Sequence, residues 1–434
     1  MSVTARSLGA MLTDIVGRDR AREGAGVTVD GVSPGWIVEP AAVEQVAAVL
    51  ALAHDEALAV IPRGSGSALD LGHPPARADI VLDLRALDQV LEDHPEDLTV
   101  SVQAGVTAGA LAARTGARRQ WLPVDPPGWG TRTLGGLAAT GASGPLRARY
   151  GALRDLLLGV RFVQADGVVT WGGAKVVKSV TGYDVPKLLV GSLGTLGVLV
   201  ELTLRLHPVP DVERTWLARF ADADAAQTFL GRLIDSTVQP LRVEFLDAPA
   251  ARACALAAAA ATMAVTLGSV EAAVREDGAR VETLARGAGG VVTPAPPDFW
   301  ARYDRSVAPG EGEVLLHVSS LASHLGATVA ALEGAVERVG HGASVLVSGG
   351  ALFGTLRALI TGADGDALAP IVDALRDVVG PLGGSVVVQG PRAARECVDP
   401  WGPVAPDVLD VMREIKATFD PTRVLNPGRF VGGL

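Results

Sequence analysis

The sequence predicts an α+β chain in two parts: a glycine-dense first half of mixed strands and helices, and a second half in which helices lie against one antiparallel sheet. Three observations predict it. An apolar run, an amphipathic helix and a second apolar run follow one another between Trp36 and Ile61, which is a β-α-β pattern. Three clusters of glycine and small residues then fall between Pro62 and Val198. Beyond His207-Pro208-Val209-Pro210 the pattern changes to strands alternating with amphipathic helices, up to about residue 390.

Taken in order, Trp36-Ile37-Val38 reads as a short strand. Val43, Val46, Ala47 and Leu50 then recur at helical spacing, with Pro40 in the first turn, and this helix ends near His54. Leu58 to Ile61 is a buried strand, closed by Pro62-Arg63-Gly64-Ser65-Gly66-Ser67. Ile80 to Leu84 and Leu98 to Val102 are further strands, and Val106 to Thr115 is a short helix stopped by Gly116. Leu156 to Val163 and Val168 to Trp171 flank Ala165-Asp166-Gly167, where Asp-Gly signals a hairpin. Leu196 to Leu206 is the last strand before the linker at His207 to Pro210. In the second half the expected strands are Arg242 to Phe245, Val314 to Val318, Ser344 to Val347 and Ser385 to Val388. The expected helices are Ala223 to Asp235, Ala327 to Val339 and Ala367 to Val379, and Pro406 to Phe419 forms a terminal helix.

Composition narrows the function. The 434 residues carry a formal charge of −10, which argues against a nucleic-acid binder, since that role needs a basic face. Apolar residues make up 48%, enough for a large core. Two cysteines, Cys254 and Cys397, exclude a disulfide framework, a cysteine-rich zinc site and an all-cysteine iron–sulfur cluster; two free core thiols are expected. The apolar stretch Ala253 to Val270 has the length of a membrane span, but it is alanine-dominated and contains Thr262, Thr266, Gly268 and Ser269. It reads as a helix end followed by a buried strand. Met1 to Arg22 carries four arginines and no apolar core, unlike a secretory signal, so a cytoplasmic protein is expected.

Each glycine cluster allows two readings. Gly64-Ser65-Gly66-Ser67 follows a strand, so its backbone N–H groups can converge on a phosphate, or it is an ordinary turn. It lacks the Gly-Lys-Ser/Thr ending of a P-loop and is not a full dinucleotide fingerprint. The strip from Gly135 to Gly144 lets an extended ligand lie against main chain, or serves tight helix packing. Lys175 to Lys187, with Gly191-Ser192-Leu193-Gly194-Thr195-Leu196-Gly197-Val198, permits close approach ahead of a strand, or is a plain loop.

Together, and in this order, the clusters resemble the FAD-binding domain of the vanillyl-alcohol-oxidase/p-cresol-methylhydroxylase superfamily. Phe419-Asp420-Pro421 through Leu425-Asn426-Pro427-Gly428 matches that superfamily's tail. Ser143-Gly144-Pro145-Leu146-Arg147 with Tyr150-Gly151, and Lys175-Val176-Val177-Lys178 with Gly182-Tyr183-Asp184, are similar to the FAD-binding accessory subunits of bacterial glycolate oxidases. Leu193 stands where most relatives carry glutamate, as an apolar residue does in those subunits. The resemblance implies an N-terminal segment (1–34), a two-part FAD-binding domain (35–210), an α+β cap (211–405), and a helix and tail (406–434) returning to the flavin. It places the FAD pyrophosphate on Gly64, Ser65, Gly66 and Ser67, with Arg63 and Gly128 also among the cofactor contacts. Thr133, Gly135, Gly136, Ser143 and Gly144 continue the contact and line the flavin, Gly197 and Val198 offer backbone groups, and Asn426 approaches the ring. Covalently flavinylated relatives carry a histidine in the 62–68 loop; none stands there, so non-covalent FAD is expected.

The catalytic 2-hydroxy-acid dehydrogenases of this superfamily carry a His-x-Gly-Asp-Gly-Asn-x-His type motif in the cap, and this chain has no such string. His317, His324 and His341 read as surface or satisfied core residues, no metal site is expected, and no catalytic residue is identifiable. Hydride transfer to a flavin leaves a hydroxyl proton to be accepted, and the accepting group is not legible. The resemblance therefore implies an FAD-binding subunit of a glycolate-oxidising complex. A larger FAD-binding subunit doing the main chemistry and an iron–sulfur subunit are its expected partners, and they are its expected route to the inner membrane face. A stand-alone FAD oxidoreductase and a non-catalytic scaffold subunit are the alternatives.

Overall fold

The computed structural model describes residues 7–174, 182–310, 312–339, 342–363 and 365–434. The Lys175 to Lys178 part of the third cluster, and His341, lie outside the described residues.

The first half is built on two sheets. Strands Trp36–Val38, Ile80–Asp83 and Val60–Arg63 pair in parallel in that spatial order, with Ala21–Glu23 added antiparallel at the edge. Parallel neighbours need a crossover, and helix Val43–Asp55 supplies it, burying Val46, Val49 and Leu50 against the strands. This helix starts at Val43, so Pro40 lies just ahead of it rather than in its first turn. The second sheet is antiparallel, in the order Val90–His94, Thr99–Gln103, Val198–Arg205, Leu157–Val163 and Val169–Gly173. Its last two strands are the expected Asp-Gly hairpin, with Gly167 at φ +87° where a side chain would be strained. The His207–Pro208 linker is not free chain, because it pairs with Gln120–Trp121.

The second half is one eight-stranded antiparallel sheet. Its order is Val291–Pro294, Val212–Phe220, Ala261–Ser269, Arg242–Asp247, Ser344–Gly350, Thr355–Thr361, Val314–Ser319 and Ser385–Gln389. Helices Ala223–Ile234, Glu271–Gly287, Leu325–Val339 and Gly365–Val379 cover one face. Phe229, Leu332 and Leu375 on them pack with Phe245, Met263 and Leu316 of the strands. Because side chains alternate along a strand, the intervening residues point to the opposite face, toward the first domain. Ala261–Ser269, within the apolar run that has the length of a membrane span, is a central strand of this sheet. Among the described residues no helix is long and apolar enough to cross a membrane.

The tail after helix Pro406–Phe419 returns to the first domain. Asp420 accepts hydrogen bonds from the backbone of Val424 and Leu425, turning the chain back; the Val60 N–H then donates to the Val424 carbonyl, and the Asn426 N–H to the Val60 carbonyl, beside the first sheet. Cys254 is buried and Cys397 is exposed, both as free thiols, so only the first is the core residue expected. Cys397 sits just beyond the short helix Arg392–Arg395, where its sulfur makes only a long contact to the Ala393 carbonyl.

Candidate active site

The loop after strand Val60–Arg63 lines a small cavity of about 80 Å³. Arg63 is used structurally, with its guanidinium paired to the buried Asp83. Gly64, Ser65, Gly66 and Ser67 form one wall, and Gly136, Leu193 and Asn426 are opposite. Gly64 packs so closely on Thr133 that a Cβ there would lie 2.0 Å from Thr133 Oγ1. Thr133 itself caps helix Leu134–Thr140 by accepting from the Gly136 N–H at 3.3 Å, and it is not among the residues lining this cavity.

The charges at this cavity are unbalanced. Arg132 and Arg429 both border it, and neither forms an ion pair among the described residues. Arg132 Nε and Arg429 Nη1 are buried without a hydrogen-bond partner, as is Asn426 Oδ1. Burial pulls both guanidinium groups down to about 10. Asp70 offsets this for both, and Asp30 for Arg429, but neither carboxylate pairs directly with them; burying a cation without a direct partner is costly, so this arrangement suits an anionic ligand held by backbone amides and two guanidinium groups. A diphosphate meets that description.

The small cavity adjoins a larger one of about 630 Å³ through Ser67, Ala68, Arg132 and Thr140. The larger one lies between the first domain and the open face of the eight-stranded sheet. From the first domain come Gly128, Ser143 and Gly144. Gly128 stands at φ +66° and its N–H donates to Asp304 of the second half at 3.0 Å. Gly144 backs onto the Asp125 carbonyl, 2.0 Å from where a Cβ would sit. Gly135, Gly197 and Val198 line neither cavity: Gly135 packs on Ala104, Gly197 on Phe162, and Val198 is in the core. The third cluster thus contributes Leu193 to the site. Leu193 stands at φ +53°, and its carbonyl accepts from Asn426 Nδ2.

The second half brings to the cavity His317 together with groups not singled out in the sequence. Glu244, His317, Arg357 and Gln389 come from four strands, and Tyr303 from helix Phe299–Ser306. His317 and Arg357 are cross-strand partners, as are Glu244 and Gly350, which fixes the polar groups on one face. The Tyr303 hydroxyl donates to Glu244 Oε2. Burial pushes the Glu244 carboxyl up to about 8, against the opposing pull of Tyr303 and Arg357. Burial and the acidic neighbour push the Tyr303 phenol well above its ordinary value. Arg357 makes no ion pair or hydrogen bond within the described structure.

His317 is not a surface or core residue but a cavity wall. Its Nε2 lies 2.9 Å from Gln389 Oε1, while Gln389 Nε2 donates to Asp70 Oδ1 at 2.9 Å. The amide oxygen only accepts, so His317 carries its proton on Nε2. Burial and the nearby guanidinium groups of Arg357 and Arg132 pull it down to about 4, leaving it neutral at physiological pH. Among the described residues no group of three or more His, Cys, Asp and Glu side chains is placed to hold a metal ion.

Below the cavity the two halves are clamped by a buried network. Arg242 donates to Asp125 Oδ2 at 3.0 Å and pairs with Glu213, and its guanidinium lies 4.9 Å over the Trp300 ring.

Residues 34–173 match the family described as FAD binding domain. Residues 209–387 and 402–430 match the FAD linked oxidases, C-terminal domain, and the two together take in well over half of the chain. The glycolate oxidase subunit GlcD of Bacillus subtilis is 32% identical over 216 residues, 50% of this chain and 46% of that one. A probable mitochondrial D-lactate dehydrogenase of Danio rerio is 36% identical over 224 residues, 51% and 45% of the two chains. The chain thus spans about half the length of these two curated relatives. A solved structure of p-cresol methylhydroxylase with substrate bound superposes with a TM-score of 0.76 at 15% identity, over 97% of this chain and 95% of the other, which shows a shared fold.

Proposed function

The chain belongs to the FAD-linked oxidases, and on that premise we propose that it oxidises a small 2-hydroxy acid in the cavity between its two domains, as one subunit of a redox complex. FAD is its cofactor. The guanidinium groups of Arg132 and Arg429, with the 64–67 loop, fit the diphosphate, and the lack of a histidine in the 62–68 loop supports non-covalent attachment. When bound, the flavin supplies a two-electron acceptor.

The observation that carries the substrate class is Arg357. An unpaired guanidinium stands in a cavity that adjoins the FAD cradle, where a substrate carboxylate would pair with it. His317, held neutral, adds a polar wall without a competing charge. The expectation that a larger flavoprotein does the main chemistry rested on the missing histidine motif. The cavity holds other acid–base groups, which favours chemistry within this chain. A larger flavoprotein and an iron–sulfur subunit then serve as electron acceptors, bringing the chain to the inner membrane face from the cytoplasm.

Dye reduction by the FAD-loaded chain, alone and with these partners, tests the reading. Glycolate, D-lactate and D-2-hydroxyglutarate are the substrates to compare. At least one should be turned over, and Arg357→Leu should raise its KM by about 10- to 100-fold, the worth of a hydrogen bond to a charged group. No turnover of any of them, with or without partners, would overturn the proposal.

A further inference from the structure

We propose that Glu244, held by Tyr303, is the group that takes the substrate's hydroxyl proton. The inference rests on the reading of the cavity as a hydroxy-acid site and names the residue whose role the sequence left open.

The geometry comes first. Glu244 is 3% exposed, on a strand whose neighbouring side chains Val243 and Phe245 are core, yet it lines the cavity. Tyr303 occupies only Oε2. Among the described residues no donor is bonded to Oε1, so one carboxylate oxygen is available to a ligand while the other is fixed. The buried carboxylates of Asp420 and Asp247 have both oxygens bonded, whereas Asp30, paired to Arg395, also leaves one oxygen without a partner. Glu244 differs from all three in lining the cavity.

The rival base is His317. A general base works best when its own pKa is close to the working pH. His317 at about 4 is too weak a base, whereas Glu244 at about 8 is well matched. The charged and titratable groups around Glu244 are Tyr303 on the helix, Arg357 across the sheet, Arg242 on its own strand, and Asp125 from the first domain. Arg357 and Arg242 favour the ionised carboxylate, Asp125 opposes it, and Tyr303 stabilises it by donating. A substrate carboxylate paired to Arg357 would bring its 2-hydroxyl into the same cavity. The hydroxyl O–H bond breaks and its proton goes to Glu244 Oε1. The C–H bond would break as the carbonyl forms, its electron pair going to the two-electron acceptor that FAD would supply when bound. One two-electron oxidation of the acid balances one two-electron reduction of the cofactor.

The test has a readout that does not depend on turnover. In the FAD-loaded chain, infrared difference spectra between pH 6 and 10 should include a protonated carboxyl band that disappears with a midpoint near 8, distinct from the Asp247 carboxyl near 6 and absent in Glu244→Gln. The rate of flavin bleaching by glycolate or D-lactate should rise with pH through the same midpoint, because the base must be ionised. Glu244→Gln should lose that rise and fall by about 10²- to 10⁴-fold. Tyr303→Phe, which removes a donor to the carboxylate and leaves it in place, should move both midpoints to higher pH together. A purely structural role for the pair predicts no matched shift. If bleaching occurs and Glu244→Gln keeps the wild-type rate and profile, the proposal is overturned and the hydroxy-acid reading stands. If the wild-type flavin is never bleached by these acids, the reading fails and the proposal falls with it.

Discussion

Replacing Gly64 with valine is expected to strip the protein of FAD while leaving its fold largely intact. A Cβ at this position would lie 2.0 Å from Thr133 Oγ1 and 3.1 Å from Thr133 Cβ. Thr133 cannot retreat, because it is 1% exposed and caps the helix that begins at Leu134. The 64–67 loop must therefore move, and with it the backbone amides that meet the diphosphate. Flavin content after purification should fall at least about tenfold, equivalent to ~1.4 kcal/mol of binding. Circular dichroism should be nearly unchanged, since the two sheets do not depend on this contact. Adding Thr133→Ala to the milder Gly64→Ala removes the hydroxyl and should restore part of the flavin, at a cost of about 1 kcal/mol for the lost cap. Full flavin occupancy in Gly64→Val would take the loop out of the site.

The second large effect is expected at Lys416. This residue is 3% exposed, and its ammonium donates to Asp420 Oδ2 at 2.6 Å, to the Thr195 carbonyl at 2.7 Å and to the Leu425 carbonyl at 3.0 Å. Three segments thus meet at one charge: the terminal helix, the third glycine cluster and the tail that carries Asn426. Burial pulls the lysine below its ordinary pKa, partly offset by Asp420, so the pair is held at the expense of desolvation. Lys416→Met keeps most of the side-chain length and leaves Asp420 buried without its cation. Breaking a buried pair from one side costs about 3–5 kcal/mol. Urea unfolding should show that loss, and FAD should dissociate earlier in the titration than in the wild type. Asp420→Asn added to Lys416→Met should recover part of the stability, because it removes the stranded charge. An unchanged unfolding midpoint in Lys416→Met would contradict this account of the tail.

Much of the first half was legible because its signals are local. The strand–helix–strand unit, the Asp-Gly hairpin and the strand before the linker each follow from a period or a turn within about a dozen residues. The glycine clusters were legible as a set, yet their members divide. Gly64 to Ser67, Gly136, Ser143 and Gly144 line the cavities, while Gly135 and Gly197 give room to Ala104 and Phe162. From sequence, a glycine that admits a ligand and one that admits a neighbouring side chain are identical.

The cap cluster escaped notice for a different reason. Glu244, Tyr303, His317 and Arg357 are each a single polar residue, brought together by strand pairing over long sequence separations. A signal was present: Arg242-Val243-Glu244-Phe245, Leu315-Leu316-His317-Val318 and Leu356-Arg357-Ala358 each place a charged or polar residue in an otherwise apolar strand. On a sheet with one face in the core, such residues define the other face. Strand Thr355–Thr361, which carries Arg357, and helix Phe299–Ser306, which carries Tyr303, were not anticipated. The helix is short, and Phe299 and Tyr303 are the buried positions that a longer periodic pattern would have revealed.

The central claim is that a 2-hydroxy acid meets the flavin inside this chain. Anaerobic mixing of the partner-free, FAD-loaded protein with glycolate, D-lactate or D-2-hydroxyglutarate tests it most directly, followed by flavin absorbance. The account predicts that one of these acids bleaches the flavin in a single turnover, and that Arg357→Leu slows bleaching at low substrate. A flavin that stays oxidised in the isolated chain, and is reduced only after the larger flavoprotein is added, would contradict it and return the chemistry to the partner subunit.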